Sequence, residues 1–485
     1  MKTISKLEKS KYFWFLVLAS FIFFLLRWPS LYEPYWYGDE GVYQAVGILI
    51  NSGEKLYSGA WENKPPLLPV LYALFNSDQF ILRGLSLISG LVSVWFFLLA
   101  AMKLFPKSKY ATIIATSIYV FLFGTRLIEG NIANAENFMI LPIMASAFLI
   151  ISNENFKKTL NYKIYLLAGF LLSISFLIKT VAVFDFLAFF TALLIYKDLS
   201  LKEKIKERII PLTLGFSIPI FLIMFYFLTT QNFKDFMDAL LLQNLAYVGY
   251  ANEFLFPQGL LFIKGVLLLF FIIALYLYRK KLSMNVLFIF LWFGFSLFNV
   301  FFSGRAYTHY LITLLPSFCL MIGLAIEERK IRIPTVSALV VGSMLIYFTF
   351  NLKFEVLSYY TNVISFFAGQ KSVAEYQSYF DPNTPRDYEI ARYIKINTSS
   401  DDKVFIWGNN AQVYKLTGKT PLIRYTVTYH IINFPKGFSE MEEAIENEKP
   451  KLIVVMPNVP QFPFGLENYT EIMDIGGAMI YEKVL

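Results

Sequence analysis

The chain has one cysteine, Cys319, among 485 residues. It lies inside an apolar run and has no partner, which excludes an intramolecular disulfide and leaves no sign of thiol chemistry. Histidine is nearly as scarce, with two copies, and no His/Cys cluster has the spacing of a metal centre. The sequence also lacks a phosphate-cradling glycine loop, an internal repeat and a low-complexity tract. Charge is in short supply too: 16% of residues are charged, against 56% hydrophobic and 18% aromatic.

What is abundant is apolar length. The hydrophobic residues fall in blocks of about 20, long enough to cross a bilayer as helices, at roughly 11 to 28, 79 to 104, 110 to 126, 133 to 151, 163 to 179, 181 to 197, 209 to 229, 258 to 279, 284 to 302, 307 to 326 and 332 to 351. The expected fold class is therefore a mainly α-helical membrane protein with about eleven spanning helices. Lys2, Lys6, Lys9 and Lys11 precede the first run, and no small-residue cleavage site follows. This reads as a retained signal anchor with a cytosolic N-terminus, in a multi-pass protein of the plasma (inner) membrane.

From that start every second connection should be basic. Lys103, Lys107 and Lys109 fit, as do Lys157, Lys158 and Lys163, then Lys197, Lys202, Lys204, Lys206 and Arg208, then Arg279, Lys280 and Lys281, and finally Arg329, Lys330 and Arg332. The net charge of +8 is thereby explained without a nucleic-acid partner. Lys179 and Thr180 form the only polar break between two short apolar segments, and the charge alternation requires a pair of helices there.

The outer face then holds a first loop, 29 to 78, a second large loop, 230 to 257, and everything after the transmembrane module, 1 to 351. In the first loop Gly41 to Gly53 reads as a helix with Val42, Ala45, Val46, Leu49 and Ile50 on one face, suited to the membrane surface. Pro66 to Phe75 reads as a second. Residues 352 to 485 comprise a linker and a small soluble α/β domain: "RDYEIARYIKINTS", "AQVYKLTG" and "SEMEEAIENEKP" have helical character, while "KVFIWG" and "KLIVVMP" read as strands.

Polar residues at the outer helix ends are the candidates for chemistry. Asp39 and Glu40 are either a solvated helix start favoured by the macrodipole or, partly desolvated by Tyr35, Trp36, Tyr37 and Tyr43, a general base. Lys64, on the stiff Pro65-Pro66 turn, either snorkels to lipid headgroups or holds one phosphate. Arg305, His309 and Tyr310 read as an interfacial anchor or a phosphate clamp, with Arg305 and His309 on one face if the helix has begun. The clamp is preferred, because an outer arginine runs against the positive-inside bias. Lys179 is a lone outer cation. Asn134, Glu136 and Asn137 open the next helix, where Asn131 or Asn134 could simply cap it.

Four stretches, "YGDEGVYQAVGILINSGEKLYSGAWENKPPLLPVLYALF", "NAENFMILP", "FLIKTVAV" and "GRAYTHYLITLLP", occur in the order and at the positions found in a known family. In them the chain resembles the protein O-mannosyltransferase and lipid A aminoarabinose transferase type of membrane glycosyltransferases, of the GT-C fold class. "KVFIWGNNAQVYKLTGKTP" looks like the tail of prokaryotic members. The resemblance implies transfer from a polyprenyl-phosphate sugar to an extracytoplasmic acceptor, with Asp39 as the catalytic carboxylate and Glu40 beside it. Lys64, Arg305, His309 and Lys179 would face the donor phosphate, and Tyr43, Glu62, Glu136, Asn137 and Tyr310 the rest of the substrate. Aminoarabinose transferases carry a glutamate directly before the lysine of the KP turn, able to hold a divalent metal. Here Asn63 stands there and Glu62 is one residue earlier, so no required metal or other cofactor is expected. A transporter or flippase of an anionic lipid is the competing class.

Overall fold

The computed structural model describes residues 12–155, 161–254, 258–434 and 436–484. Lys2, Lys6, Lys9, Lys11, Lys157 and Lys158 lie outside them. Apolar length decides the architecture: α1 (Phe13–Arg27), α4 (Gln79–Leu104), α5 (Lys109–Gly124), α6 (Ala135–Asn155), α7 (Tyr162–Ile178), α8 (Val183–Ile195), α9 (Ile210–Thr229), α10 (Gly259–Tyr278), α11 (Met284–Phe302), α12 (Leu311–Glu327) and α13 (Arg332–Thr349) form a helical layer. Among the described residues eight helical spans are long and apolar enough to cross a membrane, and α5, α7 and the segment holding α8 are shorter apolar helices. Between the membrane helices come α2 (Gly38–Asn51) and α3 (Leu67–Leu74). Asp78 caps α4 by accepting from the Ile81 N–H, and Ser283 caps α11 in the same way through Val286.

The break at Lys179 is real. That residue is extended (φ −151°, ψ 126°) and closes α7, after which one 3₁₀ turn leads into α8. The two helices then diverge: α7 packs on α6 and α9, whereas α8 packs on α11. The α7–α9 seam is built on glycines. A Cβ on Gly169 would lie 2.0 Å from the Leu212 carbonyl oxygen, and one on Gly215 would lie 2.0 Å from that of Leu166. Small residues permit this approach, which is a common basis for helix association in lipid.

The basic connections meet at one end of the layer. Lys107 Nζ pairs with Glu328 at 2.8 Å, Lys197 Nζ donates to the Lys280 carbonyl at 2.7 Å, and Arg208 pairs with Glu154 at 2.7 Å. At the opposite end Arg83, in the first turns of α4, is fully buried. Its guanidinium donates to Glu33 at 2.8 Å, to Glu40 at 2.6 Å and to the Ser30 carbonyl at 2.9 Å. Glu33 also accepts from Asn131 at 2.9 Å, Trp36 at 2.8 Å and Tyr359 at 2.6 Å, and Glu40 from the Ala133 N–H at 2.6 Å. Removing one partner from such a buried knot costs about 3–5 kcal/mol, so it fixes the entry to α2 against the membrane layer.

The C-terminal part carries α14 (Thr384–Asn397), β1 (Val404–Trp407), α15 (Gln412–Thr417), α16 (Thr428–Asn433), α17 (Gly437–Glu448), β2 (Leu452–Val455), β3 (Tyr469–Ile475) and β4 (Ala478–Lys483). The sheet order is β1-β2-β4-β3, with β1 parallel to β2 and the other pairs antiparallel. Here one expectation fails. The apolar face of α2 does not lie on the membrane: Val42, Ala45, Val46 and Leu49 share a core with Ile390, Ile394, Val404, Val413 and Ile480. Against α2 the domain comes so close that a Cβ on Gly41 would sit 2.8 Å from the Gln412 backbone nitrogen. Packing α2 on the domain lets both elements bury their apolar faces in one core.

Gly215→Val is expected to force α7 and α9 apart and to lower the thermal midpoint of the purified protein in detergent by several degrees. Gly265→Ala, where a Cβ would meet nothing within 4 Å, serves as the control and should leave the midpoint unchanged or slightly raised.

Candidate functional site

The site begins with helical geometry. Adjacent residues on a helix point about 100° apart, so Asp39 and Glu40 in the first turn of α2 cannot share a partner. Glu40 turns inward to Arg83 and Ala133 and is 2% exposed. That departs from the expectation of a second catalytic carboxylate: Glu40 is held by the scaffold. Asp39 is only half-buried, and its Oδ2 receives the Asn134 side-chain amide at 3.4 Å.

Asn134 is the hub. Its Oδ1 accepts from the Tyr43 hydroxyl at 3.0 Å and from the Ala135 N–H at 2.7 Å, and its amide also reaches the Tyr37 hydroxyl at 3.5 Å. Tyr37 donates to Glu129 Oε2 at 2.7 Å and lies 3.1 Å from His309 Nδ1. Glu129 is itself 3.1 Å from that nitrogen and accepts from the Thr308 hydroxyl. The other ring nitrogen of His309 is 3.8 Å from Glu136, which pairs with Lys179. Lys179 Nζ stands 4.6 Å over the Tyr310 ring, and that ring meets His309 edge-on at 4.8 Å.

A second limb reaches the network from the KP turn. Lys64 Nζ lies 5.9 Å from the centre of the Tyr43 ring, stands 3.7 Å from Glu62, and donates to the Asn63 side-chain oxygen at 2.7 Å. Glu62 Oε1 accepts the backbone N–H groups of Asn63 at 2.8 Å and Lys64 at 3.2 Å. Burial pushes the Glu62 carboxyl above its ordinary range, against the pull of Lys64 and with Asp39 adding to the push. For Glu129 burial acts in the same direction, but hydrogen bonds and charge from His309, with bonds from Thr308 and Tyr37, outweigh it and hold the carboxyl below its ordinary range.

Asp39, Tyr43, Glu62, Lys64, Glu136, Lys179, His309 and Tyr310 are thus brought together, and besides Glu40 two expected residues are placed differently. Arg305 is not on a helix: α11 ends at Phe302, Gly304 turns the chain at φ +70°, and Arg305 lies in the irregular segment that follows, so it shares no helical face with His309. Asn137 donates to the Gly130 carbonyl at 3.0 Å, fully buried, and shapes the loop before α6. Asn134 stands directly before α6 and takes the Ala135 N–H, so it serves the helix start while also bonding Tyr43 and Asp39, whereas Asn131 bonds Glu33. Among the described residues no three His, Cys, Asp or Glu side chains converge to hold a metal ion. In the KP turn Asn63 gives its side-chain oxygen to Lys64.

Sequence reasoning missed Glu129, Tyr37 as a connector, and Arg83. Glu129 adopts a left-handed backbone, φ 58° and ψ 34°. Such geometry is uncommon outside glycine and tends to mark a constrained site. An acid followed by Gly130 between two apolar runs was the available signal.

Glu129→Gln is expected to cost about 1.5–3 kcal/mol near neutral pH, by loss of charge-assisted hydrogen bonds. Because the folded carboxyl titrates below its unfolded value, that contribution is present above about pH 4.5 and fades as pH falls through the folded value. Unfolding of the two proteins followed from pH 7 to pH 3 should therefore converge at the acid end.

No protein-family model matches this chain, and no curated protein matches it in sequence. Solved structures do match. ArnT from Cupriavidus metallidurans bound to undecaprenyl phosphate superposes with a TM-score of 0.55 at 13% identity, covering 97% of this chain and 98% of that one. The archaeal oligosaccharyltransferase AglB from Archaeoglobus fulgidus, in complex with an inhibitory peptide and a dolichol-phosphate, gives 0.52 at 12% identity, covering 92% of this chain and 69% of that one. Identity this low speaks to the fold alone. Together with the apolar helices, these likenesses make the chain a multi-pass membrane protein with the GT-C-type fold.

Proposed function

We propose that the chain is a membrane glycosyltransferase that moves a hexosyl or pentosyl unit from a polyprenyl-phosphate donor to an extracytoplasmic lipid, protein or cell-envelope glycan. The active end and the C-terminal domain face outward from the plasma (inner) membrane, and the N-terminus lies in the cytosol. One observation carries the reading: Asp39 and the cationic side chains Lys64, Lys179 and His309 belong to one network at the end of the helices opposite the gathered basic connections. The lipids named with ArnT and AglB, undecaprenyl phosphate and dolichol-phosphate, are of the class this reading assigns.

The residues divide the chemistry as follows. Asp39 accepts the proton of an acceptor hydroxyl or amine as that atom attacks the anomeric carbon. The bond from that carbon to the phosphate oxygen breaks, and polyprenyl phosphate leaves as an anion. Lys64 lies next to the Asp39 network and is 21% exposed at its side chain, so it reaches the leaving phosphate, with His309 and Lys179 completing the positive wall. Cations aimed at charge that develops only on bond breaking accelerate the step. Attack opposite the leaving group inverts the anomeric centre. Glu40 sets the position of α2, Glu136 holds Lys179, and Tyr43 and Tyr310 form aromatic walls. No metal or other cofactor is needed in this scheme, since the cations are protein side chains.

A flippase would distribute such groups along a path across the membrane; their gathering at one end favours transfer. Purified protein supplied with a panel of polyprenyl-phosphate sugars and envelope extract should release polyprenyl phosphate from one donor class. Asp39→Asn should lower that rate by about 10²–10⁴-fold, the usual contribution of a general base. Release at the wild-type rate by Asp39→Asn would remove Asp39 from this role.

A further inference from the structure

The seam between the KP turn and the C-terminal domain contains polar groups that the fold leaves unanswered. Glu62 Oε2, Thr426 Oγ1, Thr428 Oγ1 and His430 Nδ1 are buried and have no hydrogen-bond partner among the described residues. Their residues are 2%, 2%, 1% and 4% exposed. A buried polar atom without a partner costs about 1–3 kcal/mol, and native proteins keep few of them except where function requires it.

These atoms belong to two segments that run side by side. The Trp61 N–H donates to the Arg424 carbonyl at 3.1 Å, and the Trp61 ring meets His430 edge-on at 4.4 Å. Val427 is extended, φ −141° and ψ 148°, which sets its neighbours Thr426 and Thr428 on the same side of the chain. Glu62 precedes the phosphate-side Lys64 by two residues. It also feels the charge of Asp39. Burial, with Lys64 adding, drives His430 down to about 3, so at neutral pH its imidazole is an uncharged hydrogen-bonding group.

The chemistry of this set is specific. It offers a carboxylate oxygen, two hydroxyls that both donate and accept, and a neutral ring nitrogen, next to the residue that faces the leaving phosphate. A neutral ring bearing several hydroxyls can both donate to and accept from groups of these kinds. We propose that Thr426, Thr428 and His430 of the C-terminal domain, with Glu62, form the recognition site for the hydroxyls of a sugar ring. The proposal rests on the transferase reading for the identity of that ring, which belongs either to the donor or to a glycan acceptor. The domain then reads the substrate as well as covering α2.

The test uses the full-length protein in lipid nanodiscs and the double variant Thr426→Val/Thr428→Val, which keeps side-chain shape. Affinities are measured for bare polyprenyl phosphate and for polyprenyl-phosphate hexose and pentose, and KM is measured for the glycan acceptor. Wild type should bind one sugar-bearing lipid more tightly than the bare lipid. The double variant should bind the bare lipid as wild type does and lose about 10-fold or more of the sugar-dependent gain, one lost hydrogen bond to a substrate hydroxyl being worth about that much. If the gain survives and the acceptor KM rises about 10-fold instead, the ring belongs to the acceptor. Its thermal midpoint should be unchanged or higher, because valine removes two unanswered hydroxyls.

Retention of both the gain and the acceptor KM would overturn the proposal, as would equal loss of bare-lipid binding or a lowered midpoint, which would mark a structural role. A wild type with no preference for any sugar, on donor or acceptor, overturns it as well. The transferase reading fails separately: sugar-dependent binding that the double variant loses, with no polyprenyl phosphate ever released by wild type, would support the seam and refute transfer.

Discussion

The arrangement depends on Arg83. A guanidinium taken fully out of water must be answered by charge and hydrogen bonds, and Arg83 finds Glu33, Glu40 and the Ser30 carbonyl. Those partners come from the segment that links α1 to α2 and from the first turn of α2, and Glu33 and Glu40 recruit Asn131, Tyr359 and the Ala133 backbone in turn. One arginine thus ties a membrane helix to the first outer loop, to the loop before α6 and to the start of the C-terminal region. Since Glu40 is fixed inward, the helical step fixes Asp39 toward Asn134. The orientation of Asp39 is a consequence of its neighbour's ion pair.

From that anchor the network spreads through short polar contacts whose endpoints carry opposite duties. Carboxylates hold the cations in place, Glu129 beside His309 and Glu136 beside Lys179, while Lys64 stays only loosely engaged with Glu62 at 3.7 Å. A cation already satisfied by a close carboxylate has less to gain from a phosphate than one that is not. Lys64 is therefore the group best prepared to take the donor phosphate in the proposed reaction, and the histidine limb supplies shape and field around it.

The membrane layer was largely legible in the sequence, because apolar length and alternating loop charge are local signals that survive folding. The short break at Lys179 was legible for the same reason, since one polar pair interrupts two apolar runs. The helix over residues 41 to 53 was visible in its period, but what its apolar face meets was not: an apolar stripe is equally suited to lipid and to a protein domain, and here the partner lies in Ile390, Val413 and Ile480. The polar knot escaped because its bonds join residues 43, 93 and 180 positions apart, a separation that no spacing rule reaches. Arg305 would have shared a face with His309 only if the helix had begun by residue 305, and it starts later. The β3–β4 hairpin was missed because β3 is mostly exposed and shows no apolar alternation, although Gly476 and Gly477, both at positive φ, mark its turn.

In the proposed function the sugar is transferred at the outer face and the lipid stays in the membrane. Its most direct test uses proteoliposomes of purified protein carrying a doubly labelled polyprenyl-phosphate sugar in the leaflet that faces the active end, with acceptor extract on that side. One polyprenyl phosphate should form for each sugar that appears on the acceptor. Movement of the intact labelled lipid to the other leaflet, without sugar on any acceptor, would contradict it.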